Sequence, residues 1–315
     1  VAPHPSLAPF SAPVRAWFET TFAAPTDAQV QAWPAIASGE HTLVLAPTGS
    51  GKTLTSFLWG IDRLMAGPPP GGDRARTHRT RVLYLSPLRA LAVDIEKNLR
   101  APLAGIALAA ERLGEPVHVP TVGMRTGDTP ADERRRLVRH PPDLLITTPE
   151  SLYLLLTSAA RETLQGVEAV IVDEIHALVP TKRGSHLALS LERLERVVES
   201  PFQRIGLSAT QRPLDEVARF LGGIDTRRAE RPEARPVTVV DAGTRKDLEL
   251  EVVVPVEDMG ALGEVIEEPT SGPAAAGPAR RSIWPAIHPR LLELVRAHRS
   301  TLVFVNARRL AERLA

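Results

Sequence analysis

The chain has 315 residues, 43% of them hydrophobic and 24% charged, enough apolar material for roughly two packed domains of ordinary size. Its formal net charge of +1 announces no nucleic-acid partner, so any basic surface must be local. No cysteine is present, which excludes disulfides and cysteine-ligated zinc or iron–sulfur clusters, and no apolar run approaches the ~20 residues of a membrane span.

The N-terminal stretch carries proline at positions 3, 5, 9 and 13 and reads as a loose arm, placed at residues 1–20. It lacks the basic and apolar regions of a secretory signal, so a cytoplasmic location is expected. Short apolar runs then recur at 42–46, 81–86, 119–124, 143–148, 168–173 and 204–209, and predict strands. Between them, Leu54–Met65, Leu91–Leu99, Glu133–Arg139, Leu152–Leu156, Leu187–Val198 and Leu214–Leu221 have helical periodicity. This alternation predicts an α/β fold with a parallel sheet flanked by helices, spanning residues 21–240. In such sheets ligands bind at the carboxyl ends of the strands. Residues 67–77 read as a Pro/Gly/Arg loop, and 241–282 as a connector whose 260–282 part is rich in Pro, Gly and Ala. Residues 283–315 add one helix, an apolar strand over 302–305 and a last helix with Leu310 and Leu314 on one face. A compact domain does not begin a strand-and-helix unit and stop after about one turn, so this reads as the truncated start of a second domain.

Two motifs fall at strand ends. "TLVLAPTGSGKT" (42–53) is a strand, a glycine loop and a helix start, the pattern of a phosphate-binding loop with Ala46 in place of the usual first glycine. Thr48, Gly49, Ser50 and Gly51 would curl backbone N–H groups around phosphate oxygens. Lys52 would reach the β- and γ-phosphates of ATP, and Thr53 would hold Mg²⁺ through its hydroxyl. "AVIVDEIHALV" (169–179) is an apolar strand ending in two acids. Asp173 is placed to bind Mg²⁺, and Glu174 to orient and deprotonate the attacking water. His176 follows the acids directly and is grouped with them as catalytic. Two acids emerging into solvent would be the plainer reading of this segment by itself; the upstream glycine loop favours catalysis.

With these residues in view, the chain resembles the DEAD/DEAH helicases of superfamily 2, "DEIH" being a variant of their signature. "PTDAQ" (25–29) is similar to the adenine-reading motif, which implies that Gln29 contacts the adenine edge with both ends of its amide. "SPLRALAVD" (86–94), "RTGDTP" (125–130) and "TTPESL" (147–152) resemble the nucleic-acid-contact motifs, "LSAT" (207–210) motif III and "LVFVNARR" (302–309) motif IV. Their order matches the family over almost the whole chain. Within the superfamily, "DLLITTPESLYLLLTS" and "TKRGSHLALSLERL" most resemble the large helicase-related (Lhr) proteins.

The resemblance implies two RecA-like domains that sandwich ATP and Mg²⁺, the second domain largely missing here along with its arginine finger. It implies ATP-dependent unwinding or translocation, with 3′ to 5′ polarity and a DNA-containing track, DNA or an RNA–DNA hybrid. Ser86, Thr147, Thr148 and Ser151 stand where strands hand over to helices, so exposed hydroxyls there would bind phosphates, assisted by Arg89 and Arg125. Ordinary helix capping competes with that reading for each hydroxyl. Nothing among these positions predicts base readout, so binding is expected to tolerate sequence. Ser208 and Thr210 would link the nucleotide and nucleic-acid sites. The charge run 132–140 reads as a solvated helix face. An alternative of another class is a nucleotide- and nucleic-acid-binding fragment without productive turnover.

Overall fold

The structure is a computed structural model that describes residues 4–47, 49–67, 71–209, 213–225, 232–243, 249–253 and 284–314. The predicted linker over 260–282 lies outside the described residues. The chain divides into two compact units, Val1–Arg245 and Lys246–Ala315.

The first unit is built on strands β1 (Thr42–Leu45), β2 (Val82–Leu85), β3 (Val122–Arg125), β4 (Leu144–Thr147), β5 (Ala169–Val172) and β6 (Gln203–Ser208), in the places the apolar runs predict. A two-stranded antiparallel ribbon follows, β7 (Ile224–Asp225) with β8 (Glu233–Ala234), and then β9 (Thr238–Asp241) returns to the main sheet. The sheet has seven strands in the order β3-β4-β2-β5-β6-β1-β9, every neighbour parallel. β1, β2, β4 and β5 are buried at every position, because helices cover both faces.

Alternate strand residues feed two cores. Val44, Tyr84, Ile146 and Ile171 meet α1 (Ala12–Thr21), α2 (Asp27–Ala37), α3 (Lys52–Met65) and α4 (Arg89–Leu113) through Phe18, Trp33, Phe57, Ile61 and Ile106. Leu43, Leu83, Leu145 and Val170 meet α6 (Pro149–Leu156), α7 (Lys182–Val197) and α8 (Leu214–Gly222) through Leu152, Leu187, Leu191 and Leu221. The helix α5 (Ala131–Arg139) buries no residue, the solvated face expected of its charge run.

The N-terminal segment is not a loose arm. A 3-10 turn at Pro5–Leu7 and α1 bury Leu7, Phe10, Val14 and Phe18. The Phe10 ring meets Trp33 edge-on at 4.9 Å between centroids, and Trp17 lies so close to Gly105 that a Cβ there would stand 2.3 Å from the indole nitrogen. Pro5 and Pro13 stand at helix starts, where a missing N–H costs nothing. The predicted helix Leu91–Leu99 also extends further. As α4 it runs through Pro102 to Leu113, because Leu99, Leu103, Ile106 and Ala110 continue its buried stripe. β9 has no counterpart among the predicted strands.

Behind β1 lies a buried ion cluster. Arg204 of β6, 1% exposed, is enclosed by Glu192 (3.1 Å) and Glu195 (3.2 Å) of α7 and donates to the carbonyls of Leu221 and Gly222. Arg235 shares both acids. His41 accepts the Arg204 backbone N–H on Nδ1 at 3.1 Å. Burial, then the charges of Arg204 and Arg235, push its pKa down to about 4. An unfolded imidazole titrates near about 6.5. Between those values the unfolded chain holds the proton and the folded chain does not. Stability is therefore fully present above pH ~6.5 and falls as pH drops toward 4. At about 1.4 kcal/mol per unit, reduced for partial exposure, His41 accounts for about 2–3 kcal/mol. Denaturant unfolding of His41→Gln, which keeps an acceptor but does not titrate, should lose this slope. Parallel wild-type and variant curves would assign the slope to other groups.

The second unit contains α9 (Trp284–Ala297) and α10 (Arg308–Leu314). The strand expected over 302–305 does not form. The segment has no ladder partner among the described residues, and Leu302 and Phe304 are 84% and 90% exposed. Apolar alternation makes a strand only when a second strand takes its hydrogen bonds.

Candidate functional site

β1 delivers the chain to the glycine loop. Gly49 and Gly51 have φ of 82° and 80°, backbone that side chains with a Cβ rarely adopt. A Cβ on Gly51 would also stand 3.1 Å from Gln29 Nε2. The Ser50 hydroxyl donates to the Pro47 carbonyl at 2.7 Å, and its own carbonyl accepts the Thr26 hydroxyl at 2.8 Å. Thr48 lies outside the described residues. Lys52 and Thr53 open α3, so the loop ends on a helix N-terminus. The Lys52 side chain is 7% exposed, and its ammonium has no hydrogen-bond partner among the described residues.

Gln29 is buried beside this loop, and its Oε1 accepts the Thr26 N–H at 2.9 Å, closing a capping box on α2. The Oε1 thus carries the helix cap, and Nε2 faces Gly51.

β5 leads directly into Asp173, 6% exposed. Its Oδ1 accepts the Glu174 N–H at 2.9 Å, and its Oδ2 accepts the Tyr84 hydroxyl from β2. Burial raises the Asp173 pKa, as does the Glu174 charge; the Tyr84 bond and the Lys52 ammonium oppose that rise. Burial and Asp173 hold the Tyr84 phenol well above its ordinary value, so it remains a donor. Glu174 has φ 45°, the single non-glycine residue with positive φ among the described residues. Such a conformation costs on the order of 1–3 kcal/mol and persists where the surroundings enforce it. His176 Nδ1 accepts the Ala209 N–H at 3.3 Å, tying the DEIH loop to the end of β6. Ser208 is buried and donates to the Ala209 carbonyl at 2.8 Å; Thr210 lies outside the described residues.

The other half of the sheet carries the expected nucleic-acid residues at the carboxyl ends of β2, β4 and β3. Its hydroxyls differ from expectation. Ser86, Thr147, Thr148 and Ser151 are all buried. Ser86 donates to the Leu88 carbonyl at 2.9 Å and Thr147 to the Arg125 carbonyl at 2.7 Å, while Thr148 caps α6 by accepting the Ser151 N–H at 3.3 Å. They shape the turns rather than standing exposed, because each strand-to-helix turn leaves backbone groups that a short hydroxyl side chain satisfies. The cations remain. Arg89 is exposed and pairs with Asp128. Arg125 is half-buried with no acid facing it among the described residues; burial, then Arg134, lower its pKa.

Tyr84 and Arg183 are absent from the sequence reading. Arg183, in the first turn of α7, donates to Glu150 at 2.7 Å and to the Pro87 carbonyl at 2.9 Å, which joins the loop after β2 to the start of α6. Gly184 permits this, since a Cβ there would stand 2.2 Å from the Leu178 carbonyl oxygen. The signal for Tyr84 was a phenol inside an apolar strand, which needs a partner for its hydroxyl.

The glycine loop after β1 and the DEIH acids after β5 thus stand at the carboxyl ends of the two strands that flank β6 in one parallel sheet. Residues 26–217 match the family model for the DEAD/DEAH box helicase, and the chain belongs to that family. It is similar to the "Lhr helicase/ probable uracil glycosylase" of Mycolicibacterium smegmatis, 55% identical over 98% of this chain and 18% of that protein. It is 50% identical to the "Lhr helicase/uracil glycosylase" of Escherichia coli, over 97% of this chain and 19% of that one. A solved structure of Mycobacterium smegmatis helicase Lhr bound to ssDNA and AMP-PNP superposes with a TM-score of 0.77 at 54% identity, covering 98% of this chain and 35% of that chain. The chain thus spans about a fifth of the length of these bacterial relatives and matches their RecA-like helicase fold.

The residues fit a nucleotide with Mg²⁺. A buried ammonium without a partner is costly unless an anion completes it. Among the described residues no group of three His, Asp or Glu is assembled as a metal cage. The buried Asp173 carboxylate at the carboxyl end of β5 suits Mg²⁺, which takes one or two protein ligands and completes its shell with waters and phosphate oxygens.

Proposed function

We propose that this chain is the ATP-binding motor domain of an ATP-dependent nucleic-acid helicase or translocase, with residues 283–315 as the first elements of a second RecA-like domain. The observation that carries this reading is the partnerless Lys52 ammonium, buried under a left-handed glycine loop and acting on Asp173. Lys52 and the loop N–H groups hold the phosphates. Thr53 and Asp173 hold Mg²⁺, which when bound neutralises charge on the phosphate oxygens. Glu174 accepts the proton of the attacking water. His176 links that loop to Ser208 and Ala209 at the end of β6, the route by which the nucleotide site communicates with the track. Arg89 and Arg125 meet backbone phosphates, so DNA or an RNA–DNA hybrid is bound with little regard to sequence. Retention in the cytoplasm accords with this role.

Glu174→Gln should keep ATP binding and slow strand-stimulated hydrolysis by at least about 10²-fold. Phosphate release at the wild-type rate would give the water to another residue. A second reading is binding without turnover; the charges with the largest effect on Asp173 are those of Glu174 and Lys52. It predicts that the chain binds ATP and single-stranded DNA while phosphate release stays at background.

A further inference from the structure

Tyr84 stands in the middle of β2, 0% exposed, between Leu83 and Leu85. A phenol in that setting must place its O–H on an acceptor or lose the hydrogen bond it made to water. The acceptor is Oδ2 of Asp173. The parallel register explains the meeting. Tyr84 is opposite Ile171, so Asp173, two residues on, projects from the same face one step nearer the carboxyl end. The Tyr84 ring is stacked on Phe57 of α3, with centroids 4.5 Å apart and planes 20° apart. α3 is the helix that begins with Lys52. A single side chain therefore joins the helix bearing the phosphate-facing lysine to the acid on β5. With Tyr84 on Oδ2 and the Glu174 N–H on Oδ1 at 2.9 Å, the carboxylate cannot turn without breaking a hydrogen bond.

We infer that Tyr84 is a positioning residue for Asp173, fixing the orientation of its carboxylate for Mg²⁺ and keeping it in register, through Phe57, with the helix that carries Lys52. This rests on the reading of Asp173 as the metal-binding acid. Tyr84 has no exposed surface with which to touch nucleotide and acts through Asp173. Partners of this kind fix ligand orientation before the metal arrives, and their loss weakens metal affinity rather than nucleotide contact.

The test is a titration of the 315-residue chain with a fluorescent ATP analogue, first without metal and then with increasing Mg²⁺. Tyr84→Phe keeps the ring and the Phe57 stack and deletes the O–H. It should leave metal-free affinity within about 2-fold of wild type and raise the half-saturating Mg²⁺ about 10- to 100-fold. Phe57→Leu, which loosens the ring and leaves the hydroxyl, should shift Mg²⁺ dependence in the same direction by less. Asp173→Asn is the reference and should shift it at least as far as Tyr84→Phe. An unchanged Mg²⁺ curve for Tyr84→Phe beside a shifted one for Asp173→Asn overturns the positioning role and leaves the Asp173 reading standing. No shift in Asp173→Asn overturns the reading of Asp173 itself. Should Tyr84→Phe fail to fold, an unchanged curve in Phe57→Leu overturns the positioning role.

Discussion

Replacing Lys52 with methionine should cut ATP affinity by about 10²- to 10⁴-fold, the loss of two charge-assisted hydrogen bonds at about 1.5–3 kcal/mol each. The same change should leave the unfolding midpoint no lower than in wild type. Both expectations have one cause. The Lys52 stem is buried and its ammonium lacks a partner among the described residues, so the folded chain bears the desolvation of a charge that only a ligand completes. Methionine retains the stem and removes the charge. Isothermal titration with ATP and Mg²⁺, paired with thermal unfolding, reads the two effects separately. Affinity within a few-fold of wild type would remove Lys52 from the phosphate site. A large drop in midpoint would mean that the ammonium has a partner and serves the fold.

Arg204→Ala is expected to destabilise the first unit by about 3–5 kcal/mol, or about 10²- to 10⁴-fold in the folding equilibrium, the scale of breaking a buried ion pair from one side. It strands Glu195, whose remaining cation, Arg235, lies 3.9 Å away; it frees the Leu221 carbonyl and leaves the Gly222 carbonyl to Arg235 alone. These carbonyls end α8, and Arg235 precedes β9, so the change should loosen the edge of the sheet beside β1. Urea unfolding measures it. Pairing Arg204→Met with Glu195→Gln should restore part of the loss, because no charge is then left buried alone. A single-variant loss under about 1 kcal/mol would show that Arg235 alone satisfies both acids.

Much of the sheet and the turn of the glycine loop was legible because local chemistry dictates both. Buried parallel strands are apolar at every position, and a phosphate loop needs glycine where φ is positive, so "TLVL" and "GSGK" announce themselves. The hydroxyl residues were harder. Ser86, Thr147, Thr148 and Ser151 have the composition of phosphate contacts and of caps alike, and their burial and hydrogen bonds come only with the tertiary fold. Proline at the N-terminus misled for a similar reason: it marks a helix start as readily as a loose chain, and the Phe10–Trp33 contact that settles the matter is tertiary. Tyr84 acquires its role only when β2 and β5 lie side by side, a pairing that no local pattern encodes. The strand over 302–305 shows the converse, a sequence suited to a ladder whose partner is not supplied.

The placement of β1 bears on how the chain is made. This strand carries the phosphate loop, yet both its neighbours, β6 and β9, are synthesised last in the first unit. His41 and Arg204, which meet where β1 and β6 begin, are 163 residues apart in sequence. At about 5–20 residues per second, a ribosome needs roughly 10–30 s to make that stretch. Until then Leu43, Val44 and Leu45 have no strand beside them, and an apolar edge of this kind is open to wrong pairing and aggregation. The strand that carries the glycine loop thus gains its neighbours only at the end of the unit's synthesis. A nascent chain halted before β6 would have its glycine loop written and no strand beside β1.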